Sequence, residues 1–242
     1  MSKHLDVDTL RRYSTAWKRF CRSHGFGIHS PFAYNFVVDV IHQQLPYYAY
    51  DVLELMRQQI APRKFKGELM SLKNAKLLFR IANHFNPKHI LQIGSSYGLS
   101  AAATLLPNRS SHLWLHEPDS ALHTTLDTTL HPFANRITFD DSIVNITTNY
   151  SAAIDESQQK PFVVINNIHN AASYSQVQFF VNSVLAGNGV IVFRNISTQP
   201  LVAQLCNESK QYATSGMSFG NHRTIVFVAD KKLPRQDFSL WL

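Results

Sequence analysis

Two glycines four residues apart, Gly94 and Gly98, separate a short apolar run from an Ala/Leu-rich stretch in Ile90-Leu91-Gln92-Ile93-Gly94-Ser95-Ser96-Tyr97-Gly98-Leu99-Ser100. A strand that stops at a glycine and turns tightly into a helix brings backbone N–H groups to the carboxyl edge of a sheet. Open α/β folds take nucleotide-like ligands there. The residues placed to bind such a ligand are Gly94, Ser95, Ser96, Tyr97 and Gly98. A dinucleotide asks for G-x-G-x-x-G, in which the second glycine lets the chain approach a pyrophosphate. Ser96 and Leu99 stand where the second and third of those glycines belong, which argues against a dinucleotide. About twenty residues after the turn comes Glu117, at the spacing of a carboxylate that accepts from both hydroxyls of a ribose. Asp119 has the chemistry to cap the helix that follows.

These residues meet only if strands and helices alternate. Apolar runs predict strands over 89–93, 112–116, 136–139, 162–166, 190–194 and 224–229. Helical stretches are expected near 99–105, 120–130, 143–154, 173–185 and 200–212. Such alternation implies a mostly parallel sheet with right-handed crossovers and helices on both faces. Residues 217–224 have a hairpin pattern that turns at Gly220-Asn221.

Up to residue 65 only helical patterns occur. Leu10, Tyr13, Trp17 and Phe20 recur at helical spacing beside Arg11, Arg12, Lys18, Arg19 and Arg22. Ser30-Pro31 supplies an N-cap and a first-turn proline, with Phe32, Phe36, Val37, Val40 and Ile41 forming an apolar face behind them. A third helix is expected over 51–60, ahead of a basic link at Arg63-Lys64-Phe65-Lys66. A fourth starts near Ser71 and carries Leu72, Ala75, Leu78, Phe79 and Ala82 inward until Pro87. The reading divides the chain into a helical extension, 1–65, and an α/β domain, 66–242.

With 242 residues, 45% of them hydrophobic and 16% charged, the chain has the composition of a folded globular protein. The net charge of +7 is spread out. Its densest cluster, Arg11 to Arg22, reads either as the solvated face of a helix or as a face for RNA or acids. No apolar run reaches the roughly 18 residues of a membrane span, and the first residues hold no apolar signal core. Cys21 and Cys206 are too few for a disulfide framework. These features predict a cytoplasmic chain with no membrane partner. Phe32, Tyr34, Phe36, Tyr47, Tyr48 and Tyr50 form an aromatic-rich region that either covers a site or pairs with a second subunit as a homodimer.

Gly94-x-x-x-Gly98, followed by Glu117, the Ala186-Gly187-Asn188-Gly189 turn and the late hairpin, resembles the class I S-adenosylmethionine (SAM)-dependent methyltransferases. Over about residues 88 to 230 the spacing is most similar to small-molecule O-methyltransferases of the catechol type. His24-Gly25-Phe26-Gly27-Ile28-His29-Ser30-Pro31-Phe32 resembles a bacterial subgroup with an N-terminal helical extension. The resemblance implies a Rossmann-like, doubly wound sheet of seven strands with a terminal antiparallel hairpin, SAM as cofactor and a small-molecule acceptor. It also implies that Asp140, Asp141 and Ser142 lie near the adenine, where Asp140 and Asp141 either contact the base or cap a helix. Asn166 would lie beside the transferred methyl.

The departures bear on mechanism. Catechol-type enzymes hold magnesium with two aspartates and an asparagine; the matching residues here are Asn166, Arg194 and Asn195. A hard divalent cation wants charged oxygen ligands, and Arg194 repels it, so a metal-independent reaction is expected. Gln92 stands where the family usually has an acidic residue that orders the glycine loop or reaches the cofactor's amino group through water, so the resemblance implies a cofactor-binding Gln92 that keeps the hydrogen bonding without the charge. A hydroxyl acceptor must lose its proton, and His169, just past the fourth strand, is the candidate base, or else a loop histidine with no catalytic task. His24 and His29 either line the acceptor site or serve as turn residues. Three readings follow: a working methyltransferase, a catalytically silent relative that binds SAM or a partner without turnover, and, less favoured, an RNA-modifying enzyme using the Arg11–Arg22 face.

Overall fold

The computed structural model describes residues 27–61 and 69–242. The Arg11–Arg22 face, Cys21, His24 and the link at Arg63-Lys64-Phe65-Lys66 lie outside the described residues.

Ser30 caps the first described helix, α1 (Pro31–Asn35), by accepting from the Ala33 N–H, and Pro31 opens it as expected. The helix runs on as a π-helical segment, Phe36–Ile41, which buries Phe36, Val37, Val40 and Ile41. Next come α2 (Ala49–Ile60) and α3 (Leu72–Phe85), the latter capped by Ser71 and stopped by Asn86 in the left-handed conformation. Pro87 then delivers the chain to β1 (His89–Ile93). The remaining elements are α4 (Leu99–Leu105), β2 (His112–His116), α5 (His123–Leu130), β3 (Ile137–Asp140), α6 (Ile143–Ser157), β4 (Phe162–Ile165), α7 (Ala171–Ala186), β5 (Gly189–Phe193), α8 (Pro200–Tyr212), β6 (Met217–Gly220), β7 (Ile225–Ala229) and β8 (Gln236–Ser239).

The strands form one sheet in the order β3-β2-β1-β4-β5-β7-β6-β8. The first five are parallel, and β7 is antiparallel to both β5 and β6. The expected doubly wound sheet with its terminal antiparallel hairpin is therefore present. It gains an eighth strand, because β8 pairs in parallel with β6. The sequence of β8, Gln-Asp-Phe-Ser, is largely exposed at the sheet edge, so it carries no apolar run to announce it. The hairpin turn is also longer than Gly220-Asn221. Residues 221–224 form it, with the Asn221 side chain accepting from the N–H groups of Arg223 and Thr224.

Side chains alternate across each strand and so define two cores. Ile90, Leu113, Leu115, Phe162, Val164, Val190 and Val192 face one cluster, which α3, α4, α5 and the helices before residue 61 complete. Leu91, Ile93, Val163, Ile165, Ile191 and Phe193 face the other, under α6, α7 and α8. Phe36 packs on Phe85 and Phe219, with ring centroids 5.6 and 4.9 Å away, so the early helices share the sheet's own core. Tyr34 and Tyr48 stay exposed. Among the described residues, no helix is long and apolar enough to cross a membrane.

Candidate functional site

By the same alternation Gln92, Asn166 and Arg194 follow Ile90, Val164 and Val192, so the polar residues at the ends of β1, β4 and β5 share a face. Register sets Gln92 beside Val164 and Val164 beside Val192. One step later Gly94, Asn166 and Arg194 form a row. Backbone N–H groups continue the ladder past the strands, from Gly94 to the His116 carbonyl at 3.0 Å, from Asn166 to Ile93 at 2.8 Å and from Arg194 to Ile165 at 2.9 Å.

The glycine turn is tightly built. Gly94 has φ 82° and Gly98 φ 88°, and between them Ser96 (49°) and Tyr97 (58°) also adopt left-handed conformations. For non-glycine residues such backbone costs about 1–3 kcal/mol each and persists where the surroundings enforce it. A Cβ on Gly94 would fall 2.8 Å from the Asn167 nitrogen, and one on Gly98 2.9 Å from Thr129 Cγ2. Both glycines are thus required by close approach of neighbouring chain. Gln92 and Asn166, both buried, hold the turn from beneath. Gln92 Nε2 donates to the carbonyls of Gly94 (3.0 Å) and Ser95 (3.2 Å), and Asn166 Nδ2 donates to the Gly94 carbonyl at 2.7 Å. Asn166 Nδ2 also reaches Ser100 Oγ at 3.1 Å, a partner that sequence spacing does not reveal. Gln92 Oε1 is buried with no partner among the described residues.

Glu117, only 2% exposed, belongs to this cluster. Its Oε2 accepts from the Ser95 N–H at 2.8 Å, and its Oε1 accepts from the Asp119 N–H at 3.2 Å. His169 Nε2 closes on the same Oε1 at 2.9 Å. Burial opposes the charge on Glu117, but His169 and the Ser95 N–H outweigh it and hold its pKa down at about 2. The carboxylate in turn raises the pKa of His169, against partial burial. The structure therefore brings Gln92, Gly94, Ser95, Ser96, Tyr97, Gly98, Glu117, Asn166 and His169 together.

Asp140, Asp141 and Ser142 stand at the end of β3 in local duties. Ser142 caps α6 by accepting from the Asn145 N–H, while Asp140 Oδ1 accepts from the Ser142 N–H at 2.7 Å. The Asp141 carbonyl meets His116 Nε2 at 3.1 Å. Asp119 caps the 3₁₀ turn Ser120–Leu122, as its type suggested. His29 is exposed just before α1. The residues at the expected metal positions also converge: Arg194 Nη1 donates to Asn166 Oδ1 at 2.5 Å, and Asn195 Nδ2 donates to the Asn166 carbonyl at 3.1 Å. Among the described residues, no three His, Cys, Asp or Glu side chains cluster as metal ligands do.

No protein-family model matches the sequence, and no curated protein does. Solved structures do match in fold. An O-methyltransferase from Bacillus cereus in complex with SAH aligns with a TM-score of 0.55 at 14% identity, covering 81% of this chain and 96% of that one. The methyltransferase PaMTH1 of Podospora anserina, bound to SAH, gives 0.55 at 12% identity over 96% of this chain and 99% of its own. The O-methyltransferase TomG of Streptomyces achromogenes, in complex with SAM, gives 0.51 at 14% over 77% and 92%. The chain has the Rossmann-like fold of these methyltransferases.

Proposed function

We propose that the chain is a SAM-dependent methyltransferase that acts on a small-molecule acceptor without a metal ion. The observation that carries this reading is a buried, ionised Glu117 tied to the backbone of a glycine turn at the carboxyl edge of the sheet. The same fold in proteins crystallised with SAM or SAH supports it.

The residues present fit the cofactor. Glu117 offers carboxylate oxygens to a ribose diol, and the orphaned Gln92 Oε1 offers a buried acceptor to an ammonium group. Asp140 and Asp141 stand at the end of β3, near where the adenine would lie. When bound, SAM supplies an electrophilic methyl group on a sulfonium. The chain's part is to fix the reactants in line and exclude water. Gln92 and Asn166 serve this by pinning the turn carbonyls. Glu117 Oε1 already accepts from His169 Nε2, so gripping a diol exchanges that contact and frees the imidazole. Parted from the carboxylate that raises its pKa, His169 gives up its Nε2 proton to solvent, and the neutral Nε2 then accepts the acceptor's hydroxyl proton. Arg194 places a positive charge among Asn166 and Asn195, which disfavours a divalent ion there.

The occupied state of Glu117 also favours a second reading, a silent relative whose His169 permanently fills the ribose position. Calorimetry with SAH tests both. Micromolar binding with methyl transfer to members of an acceptor panel supports the enzyme, binding without transfer supports the silent relative, and no binding at millimolar SAH overturns the cofactor assignment.

A further inference from the structure

The sheet has two edges, and they are finished differently. β8 is preceded by Lys231, Lys232, Pro234 and Arg235, and Asp237 within it pairs with Arg235 at 2.9 Å. Charges and a proline at an edge keep other strands off it. β3 reads Ile137-Thr138-Phe139-Asp140 and holds neither lysine nor proline. Among the described residues it pairs with β2 alone, so the backbone groups on its outer side have no strand beside them. Phe139, 41% exposed, is the one large apolar side chain exposed on a strand among the described residues.

A groove lies along the same edge. Leu126 and Leu130 of α5 do not close on Ile137 and Phe139 of β3, which leaves a cavity of about 450 Å³ between helix and strand. Alternation turns Ile137 and Phe139 to this groove and Thr138 to the opposite face, where its Oγ1 meets His112 Nε2 at 2.8 Å. The two ends of the strand carry opposite charge. Arg136 stands just before it; burial and the nearby Arg109 both lower its pKa, and its Nη1 donates to the neutral carbonyls of Leu105 at 3.2 Å and Asn108 at 2.8 Å. Asp140 and Asp141 stand at the other end. None of these four charged residues joins an ion pair among the described residues.

We propose that the outer edge of β3 is an interface between two copies of this chain, paired antiparallel about a two-fold axis at Thr138. That register sets Ile137 of each copy beside Phe139 of the other and Arg136 beside Asp140, twice by symmetry. Aromatic with β-branched, and cation with anion, are favourable cross-strand pairs. A second copy is the occupant because the edge complements itself, with unpaired backbone groups, an apolar centre and opposite charges at its ends. A chain of net charge +7 repels its own copy unless the contact opposes unlike charges, as this register does. Pairing also sets the two grooves side by side on one face of a continuous sheet. A strand of four residues spans about 13 Å, so the contact is small and the dimer weak.

The test uses the full chain in sedimentation equilibrium from about 1 to about 300 μM. The wild type should pass from monomer toward dimer with a dissociation constant on the order of 10–100 μM. Phe139→Lys, which places a charge on the edge, should weaken the dimer at least about tenfold. The register has its own readout. Residues directly opposite in an antiparallel pair have Cα atoms about 4.5–5.5 Å apart, a span that a disulfide bridges. In a background with Cys21→Ser, and with Cys206 buried, Thr138→Cys should therefore oxidise to a covalent dimer at least about tenfold faster than Phe179→Cys, whose site on α7 is 80% exposed. The proposal requires both results: a folded Phe139→Lys that dimerises like the wild type, or a Thr138→Cys that links no faster than Phe179→Cys, overturns it. Should Phe139→Lys fail to fold, the linking rate at Thr138 decides. A wild type that stays monomeric throughout also overturns it, and a Phe139-dependent signal from the apolar dye ANS would then assign the groove to a small ligand.

Discussion

The two ends of the candidate site treat charge in opposite ways. At the β2 end Glu117 is an anion surrounded by its own donors, with two backbone N–H groups and His169 satisfying both oxygens. At the β5 end Arg194 is a cation with one neutral acceptor among the described residues. Both side chains are 2% exposed, so burial does not distinguish them. Self-satisfaction at the β2 end means that a ligand must compete with the protein for Glu117. Deficit at the β5 end leaves a buried guanidinium held by a neutral amide, walled by α3. One region is closed by a charged partner, and the other by a neutral one.

The largest expected effect comes from breaking what both ends share, the turn between them. Gly94→Asp puts a side chain where a Cβ alone would sit 2.8 Å from the Asn167 nitrogen, at a φ of 82° that L residues rarely adopt. We expect loss of stability on the order of 3 kcal/mol and no measurable SAH binding. Calorimetry and a melting curve check this; a stable variant that binds SAH like the wild type would show that the turn does not form the cofactor site.

Next in size is the β2 end itself. Glu117→Gln keeps an acceptor for the Ser95 N–H but discards the charge, and a charge-assisted hydrogen bond is worth about 1.5–3 kcal/mol. SAH affinity is expected to fall by about 10- to 100-fold while the protein stays folded. An unchanged dissociation constant would remove Glu117 from the cofactor's ribose.

The His169 contact sharpens the comparison through pH. Glu117 has its pKa lowered from 4.5 to about 2, so its contribution to stability is present above pH 4.5 and fades as pH falls toward 2. His169 has its pKa raised from 6.5, so its contribution is full below pH 6.5 and is lost as pH rises through the folded value. The pair therefore stabilises the closed site most between these limits. If a diol must displace protonated His169, SAH affinity rises by roughly tenfold as that proton leaves. His169→Ala should bind more tightly at pH 6 and show a flat profile, with impaired methyl transfer. A flat profile in the wild type would mean that the contact does not oppose binding. His116 faces the same cluster, but burial and His169 both lower its pKa, so it loses its proton at lower pH than His169 does.

How much of this was legible in the sequence follows from how local each signal is. β1, β2, α4 and α8 have the expected limits because an unbroken apolar run or a Pro-opened amphipathic stretch specifies them. β4 and β5 stop one residue short of expectation, since Asn166 and Arg194 turn their side chains to the glycine turn and to each other. The grouping of Gln92, Glu117 and Asn166 around the turn was readable from spacing, because all lie at ends of parallel strands. The His169–Glu117 contact was not, since it depends on β1 lying between β2 and β4 in the sheet. Left-handed Ser96 and Tyr97 also escaped notice, because only glycine advertises that conformation in a sequence.

The smallest expected effect lies at the end of β3, outside the paired and unpaired charges. Ser142 accepts from the Asn145 N–H at 3.4 Å, and Asp140 accepts from the Ser142 N–H at 2.7 Å, so this corner is held by capping bonds. Removing an N-cap hydroxyl costs about 1 kcal/mol, and in a chain of this size that lowers the melting temperature by about 2–4 °C. Ser142→Ala should do this with no change in SAH affinity, whereas Asp140→Asn should keep the backbone acceptor and leave the melt nearly untouched. If Asp140→Asn instead weakens SAH by tenfold while the melt holds, the carboxylate touches the adenine. The β3 end would then join the β2 end as a second anion serving the ligand, and the contrast with Arg194 would widen from one residue to two.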